Sequence, residues 1–402
     1  MKTKHRWAAC ALALLLAAGA AGAARGETAV SGIEGVYRYA IQDNEAMAFL
    51  KRMGVGWNLG NTFDAVRDGG GGDEMTIESY WCGTLTTEDM IEAVHAAGFR
   101  TLRIPASWHN HVDADFNITK AWLDRVQQVV DWAITRDMTV ILNTHHDVYP
   151  EYCYPSEAHY ETSERYLRRV WTQLSERFAG YDDHLIFESM NEPRQKDTDW
   201  EWWLDVNNPA CLEAADCINR LNQVFVDTVR ASGGNNASRY LMVPGYDASA
   251  DGALTERFQL PRDSADNRII VSVHAYTPYS FALQDGGTDT FSLSDSGQTQ
   301  EIHRFMSQLY KKYISQGIPV VIGEYGARDK GGNTQSRADF AAWYVANASA
   351  RNIPCCWWDN NAFTGNGERF GLLRRSDCAW PYPEIVASIM RYAGYDTIPD
   401  AP

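Results

Sequence analysis

The 402-residue chain has no lysine- or arginine-rich run, and its 36 basic residues are outnumbered by 52 acidic ones, for a net charge of −16. That balance repels a polyanion, so no nucleic-acid partner is expected. After the first residues no stretch approaches 18 uninterrupted apolar positions, which argues against a membrane-embedded mature form. Neither a C-x-x-C pair nor an H-E-x-x-H helix occurs, so a zinc site has little support and no metal or organic cofactor is implied. A Pro/Thr/Ser-rich linker and internal sequence repeats are also missing, which points to one domain.

What is present begins with a leader. Lys2, Lys4 and Arg6 precede an apolar run from Ala8 to Ala18, and Ala21 and Ala23 supply an A-x-A pattern. This reads as a secretory signal peptide over 1–23, leaving a mature domain over 24–402 that is secreted, extracellular or periplasmic. Cys10 precedes the end of the apolar run, where a lipid-attachment cysteine would follow it. Cleavage leaves an odd set, Cys82, Cys153, Cys211, Cys217, Cys355, Cys356 and Cys378, in a compartment that permits disulfides. Cys211 and Cys217, close together in a loop-like stretch, are the preferred bridge.

Short β-branched runs alternate with longer amphipathic stretches, the rhythm of repeated βα units. Eight strands are expected, at 54–61, 101–107, 139–146, 184–192, 239–246, 269–276, 319–326 and 353–360. Helical periodicity fills 87–97 with a Thr87 cap, 119–136, 162–179, 218–231, 301–316 and 335–350. Near-continuous apolar strands such as TVILN and PVVIG suit a parallel sheet covered on both faces. An open doubly wound sheet would share this pattern, but its glycine-rich turn into the first helix is missing, since the run Gly69–Gly72 leads elsewhere. The expected fold is a single-domain (β/α)8 barrel. Its longest connection, 193–217, carries Trp200, Trp202 and Trp203.

Unusual polar residues recur at the downstream strand ends, where barrel enzymes place their sites. They are Arg103, His145 and His146, Asn191 and Glu192, His274 and Tyr276, Glu324, and the pair Trp357 and Trp358. A lone histidine there is more often a hydrogen-bonded packing residue; the joint placement on six strands is what points to a pocket. Glu192 and Glu324, on strands four and seven, would face each other across the barrel mouth. One carboxyl would protonate a leaving oxygen and the other attack an anomeric carbon, their mutual repulsion helping to keep the acid protonated. The bland alternative is that either glutamate merely pairs with Arg103. Glu188, four residues deeper than Glu192, is read as a buried structural carboxylate. The 14 Trp and 20 Tyr lift aromatics to 12%, as stacking platforms or as core.

The segments MGVGWNLGNTFDA, GFRTLRIPASW, ILNTHHD, IFESMNEPR, VSVHAYTP, VIGEYGA and CWWDN resemble glycoside hydrolase family 5, and more narrowly its subfamily 4 of endo-β-1,4-glucanases and xyloglucan-active enzymes. The resemblance implies a retaining endo-β-1,4-glucanase acting on β-glucan polysaccharide, with Glu192 as acid/base and Glu324 as nucleophile. It further implies that Asn191 bonds the sugar 2-hydroxyl and that Arg103 and Tyr276 hold Glu324. His145 and His274 would position the sugar over a floor formed by Trp357, with His146 and Trp358 as the alternatives one residue away. A β-mannanase, xylanase or transglycosylase could use the same set, and a noncatalytic carbohydrate-binding protein is the reading from another class. Trp200, Trp202 and Trp203 would either line the cleft or pin their loop to the barrel.

Overall fold

A computed structural model describes residues 33–67, 69 and 73–402. The leader expected over 1–23, its cleavage near Ala23 and most of the glycine run lie outside those residues. Eight parallel strands close into a barrel in chain order: β1 (Gly56–Leu59), β2 (Thr101–Ile104), β3 (Thr139–Asn143), β4 (Leu185–Glu188), β5 (Leu241–Ser249), β6 (Ile269–His274), β7 (Val320–Tyr325) and β8 (Cys355–Asp359). Seven lie inside the segments expected from sequence, whereas β5 runs on to Ser249. Every strand is buried along its length apart from the end of β5, as a sheet roofed by helices requires. No helix among the described residues is long and apolar enough to cross a membrane.

The helices form where one apolar stripe can turn inward. Lys120–Ile134 buries Trp122, Val126, Val129, Val130 and Ala133, a single face at helical spacing. Thr87 caps Glu88–Ala96 by accepting from the Met90 amide at 3.4 Å, as its sequence position predicts. One helix starts earlier than expected. Asn208 accepts from the Ala210 amide and Pro209 occupies the first turn, so the helix runs Pro209–Ala231 rather than from Ile218.

That early start removes the expected disulfide. Cys211 and Cys217 sit six residues apart on one helix, a rise of roughly 9 Å, whereas a bridge needs Cα atoms within about 4.4–6.8 Å. Both are buried free thiols, as are Cys153, Cys355 and Cys356, while Cys82 and Cys378 are free and partly open.

Strand register sorts the side chains. Asn58 pairs with Arg103 and with Trp358, Asn143 with Glu188, and His274 with Glu324. These residues point into the barrel. Trp57, Trp357 and Asp359 have the opposite parity and pack outside the sheet.

Candidate active site

Arg103 is the hub of the barrel mouth. Its guanidinium is completely buried and donates to Glu188 Oε2 at 2.8 Å, Asn58 Oδ1 at 3.0 Å, Glu324 Oε1 at 2.7 Å and Asn191 Oδ1 at 2.7 Å. Burial works against its charge, but the Glu188 and Glu324 carboxylates more than offset that and push its pKa up. Glu188 also accepts from Ser272 at 2.6 Å and Asn143 at 3.1 Å. It is a buried structural carboxylate, as its depth suggested. Gly323 makes room for the cluster, since a β-carbon there would stand 3.0 Å from His274 Nε2.

Glu324 is held at both oxygens. Oε1 takes the bond from Arg103, and Oε2 accepts from the Tyr276 hydroxyl at 2.8 Å. Burial, then the charges of Glu324 and Glu192, raises the Tyr276 pKa well above normal, so this hydroxyl keeps its proton and remains a donor.

Glu192 lies beyond the end of β4, with Oε1 2.8 Å from His274 Nδ1. Burial opposes its ionisation, but the hydrogen bond and charge of His274, followed by Arg194 and His146, bring its pKa down to about 2. Burial likewise opposes protonation of His274, and Glu324 and Glu192 outweigh it to raise the imidazole. The two groups therefore titrate as one unit, with the proton favoured on His274. This runs against the expectation that the repulsion between the two carboxylates helps to keep Glu192 protonated, because the neighbouring imidazole outweighs it. One carboxylate oxygen of Glu192, one of Glu324 and a ring nitrogen of His274 all lie within 4.8 Å of one another.

The doubled histidine and the doubled tryptophan both resolve. His145 is buried, lies 4.0 Å from Glu324 Oε1 and is bonded through Nδ1 to Asn143. Burial, then the neighbouring His146 and Arg103 charges, lowers its pKa well below normal and leaves it neutral. His146 stands at the rim, 3.9 Å from Asp64 and 5.6 Å from the half-open Trp81 ring. Trp358 faces the mouth, parallel to His145 at 5.8 Å, and Gly60 leaves space for it, since a β-carbon there would stand 2.8 Å from its ring. Trp357 cannot be the stacking floor. It points out of the barrel, is wholly buried, and donates to the Phe370 carbonyl at 3.1 Å. Parity decides between the two: residues one apart on a strand face opposite sides.

The three tryptophans after β4 divide between the two roles considered. Trp200 is half-buried, donates to Gln195 at 2.7 Å and accepts from the Tyr246 hydroxyl through its carbonyl, so it anchors the loop. Trp202 and Trp203 remain 53% and 65% exposed. Arg194 stacks over Trp202 at 3.9 Å, while donating to the Glu192 carbonyl and to Glu201. Sequence reasoning did not single out Arg194, although it follows Glu192 by two positions. It also passed over Asn58 and Asn143, ordinary asparagines until the barrel brings them to Arg103 and Glu188. Asp64 was missed too; burial raises its pKa to about 7 against backbone bonds from Thr62 and Asn61.

One carboxylate fixed at both oxygens, with a second close by and coupled to a proton-holding imidazole, can attack at one side of an acetal carbon and protonate at the other. The sequence model of the family described as Cellulase (glycosyl hydrolase family 5) matches residues 64–364. The chain is similar to a GH5 family lichenase from Caldicellulosiruptor sp. F32, with 56% identity and a TM-score of 0.88 over 89% of this chain and 97% of that one. A GH5-4 broad specificity endoglucanase from Ruminococcus champanellensis, solved with bound cellotriose, is 40% identical with a TM-score of 0.80 over 88% and 100%. Endoglucanase 1 of Ruminococcus albus is 42% identical over 352 residues, 87% of this chain and 82% of its own.

Proposed function

Given that the chain belongs to glycosyl hydrolase family 5 and is a glycoside hydrolase, we propose that it is a secreted endo-β-1,4-glucanase that retains anomeric configuration. Glu324 is the nucleophile and Glu192 the acid/base. The observation that carries this reading is the approach of the two carboxylate groups, with oxygens within 4.8 Å. Retaining glycosidases place the pair at about 5 Å, whereas inverting ones need roughly 6.5–9.5 Å to admit a water.

The steps follow from the neighbours. Arg103 and Tyr276 aim the Glu324 carboxylate at the anomeric carbon. As the bond to the leaving sugar breaks, Glu192 protonates its oxygen with the proton held jointly with His274, and Glu324 forms a glycosyl ester. Glu192, then a carboxylate, takes a proton from water, which attacks the anomeric carbon from the face the leaving sugar vacated, breaking the bond to Glu324 and releasing its carboxylate. Asn191, whose side-chain oxygen is pinned by Arg103, offers its amide to the sugar 2-hydroxyl. Trp358 supplies the stacking surface and His145 a neutral hydrogen-bonding partner.

Glucan as the substrate class is supported by the relatives with endoglucanase and lichenase activity. The leader pattern over 1–23 supports export. NMR of the first product from a β-glucan oligomer is expected to show the β-anomer; initial α-anomer would reject Glu324 as nucleophile. Initial rates on carboxymethylcellulose, barley β-glucan, xyloglucan, glucomannan and xylan should favour the β-1,4-glucans, and a preference for mannan or xylan would reject the glucanase assignment.

A further inference from the structure

The end of β5 departs from a regular ladder beside the acid/base. Pro244 pairs with Ser272 and Ser249 with His274, so five steps along β5 are matched by two along β6. The surplus forms a bulge in which Asp247 and Ala248 both adopt left-handed backbone conformations, with φ of 56° and 47°. Bulges of this kind re-aim side chains and cluster next to active sites. Two consecutive non-glycine residues at positive φ persist only where the surroundings hold them there.

Those surroundings are the segment that follows Glu192. The Asp247 amide donates to the Pro193 carbonyl at 2.9 Å, and the Tyr246 hydroxyl accepts from the Gln195 amide while donating to the Trp200 carbonyl. His274, which bonds Glu192, is the ladder partner of Ser249 two residues on. Asp247 is thus tied through its backbone to the segment that follows Glu192. Its Oδ1 is enclosed with no hydrogen-bond partner, although the residue as a whole is only partly buried. Buried polar atoms almost always have a partner, so this carboxyl group has bonding capacity that the protein leaves unused, and the partly open residue lets a ligand reach the rest of the group.

The charged groups acting on it are Glu192, Arg194, Glu201 and Glu324. Burial first, then Glu192, raises its pKa well above normal, so the carboxyl can donate as well as accept. Arg194 and the exposed Trp202 ring belong to the same laced segment, supplying a cation and a stacking face of the kind a sugar ring uses.

We propose that Asp247 is a specificity-determining residue on the leaving-group side of the scissile bond, where its carboxyl group hydrogen-bonds a hydroxyl of the departing glucosyl unit. The side assignment rests on the reading of Glu192 as the acid, because the acid stands next to the group it protonates.

Asp247→Gly removes the carboxyl group and at the same time suits the left-handed backbone, so truncation is separated from strain. Its kcat/KM is compared with the parent's on cellotetraose, whose leaving group is a sugar, and on 4-nitrophenyl β-cellobioside, whose leaving group is not. The ratio of the first to the second is expected to fall about tenfold, with Asp247→Asn, which keeps both bonding functions, staying near the parent. Asp247→Ala is read the same way as an independent truncation. A ratio unmoved in the truncated variants, or equal losses on both substrates, would overturn the proposal while leaving the glucanase assignment standing. A parent inert on both substrates would overturn that assignment and this inference together.

Discussion

Replacing Arg103 by methionine should produce a large loss of both stability and activity, and a second substitution should separate the two. Arg103 and Glu188 are fully enclosed and Glu324 nearly so, with side-chain exposures of 0%, 0% and 6%. Methionine fills much of the same volume but leaves two carboxylates facing each other and the Asn58 and Asn191 oxygens without their donor. Breaking one side of a buried ion pair costs about 3–5 kcal/mol. For a domain of this size that lowers the melting temperature by roughly 4–6 °C. Activity should fall about 100-fold, because Glu324 loses the donor that aims Oε1 and small misplacements of a reacting group carry penalties of that order. Adding Glu188→Gln removes the charge that Arg103 alone compensated at depth. The double variant should recover most of the lost melting temperature and almost none of the activity. Calorimetry and kcat/KM on a soluble β-glucan provide the two readouts. A single variant that melts within about 1 °C of the parent would refute the buried-hub reasoning, and so would a double variant no more stable than the single one.

The remaining expectations concern the groups around that hub. The raised His274 pKa means the pair it forms with Glu192 keeps its proton as pH rises past the ordinary histidine value; His274→Gln removes that store, so the basic limb of the kcat/KM profile should move to lower pH, and an unmoved limb would assign the proton elsewhere. Trp357→Ala should cost about 3–5 kcal/mol of stability as a wholly buried ring, whereas Trp358→Ala should chiefly reduce kcat/KM; the reverse pattern in melting and kinetics would undo the parity assignment. Trp200→Ala should melt early because its loop loses an anchor, while Trp202→Ala should melt normally and weaken long-oligomer binding by about 1 kcal/mol, seen as a rise in KM. With Cys211 and Cys217 as thiols on one helix, reductant should leave the melting temperature unchanged, and a reductant-sensitive transition would contradict their free state.

Which parts of this were legible without coordinates follows from how local each signal is. Alternating apolar runs and helical stripes are written in neighbouring residues, so eight βα units, their order and the barrel could be read directly. So could Arg103, Glu192, His274 and Glu324, because polar residues at the ends of apolar strands are conspicuous where they stand. Glu188 could be placed at depth by parity along one strand. Other features depended on where strands end and how they register, which local patterning marks only to within a residue or two. The choice of Trp358 over Trp357 turned on which of two adjacent side chains faced inward, set by the pairing of Asn58 with Trp358. The supposed Cys211–Cys217 bridge failed because Asn208 and Pro209 start the helix nine residues sooner than its apolar pattern had suggested. Asp247 carries no signal in the chain at all; the bulge that brings it beside Glu192 exists only through pairing with β6 and bonds to Pro193. The proton shared by Glu192 and His274 is likewise a property of two side chains separated by 82 positions, whose 2.8 Å contact and common burial arise only when the barrel closes.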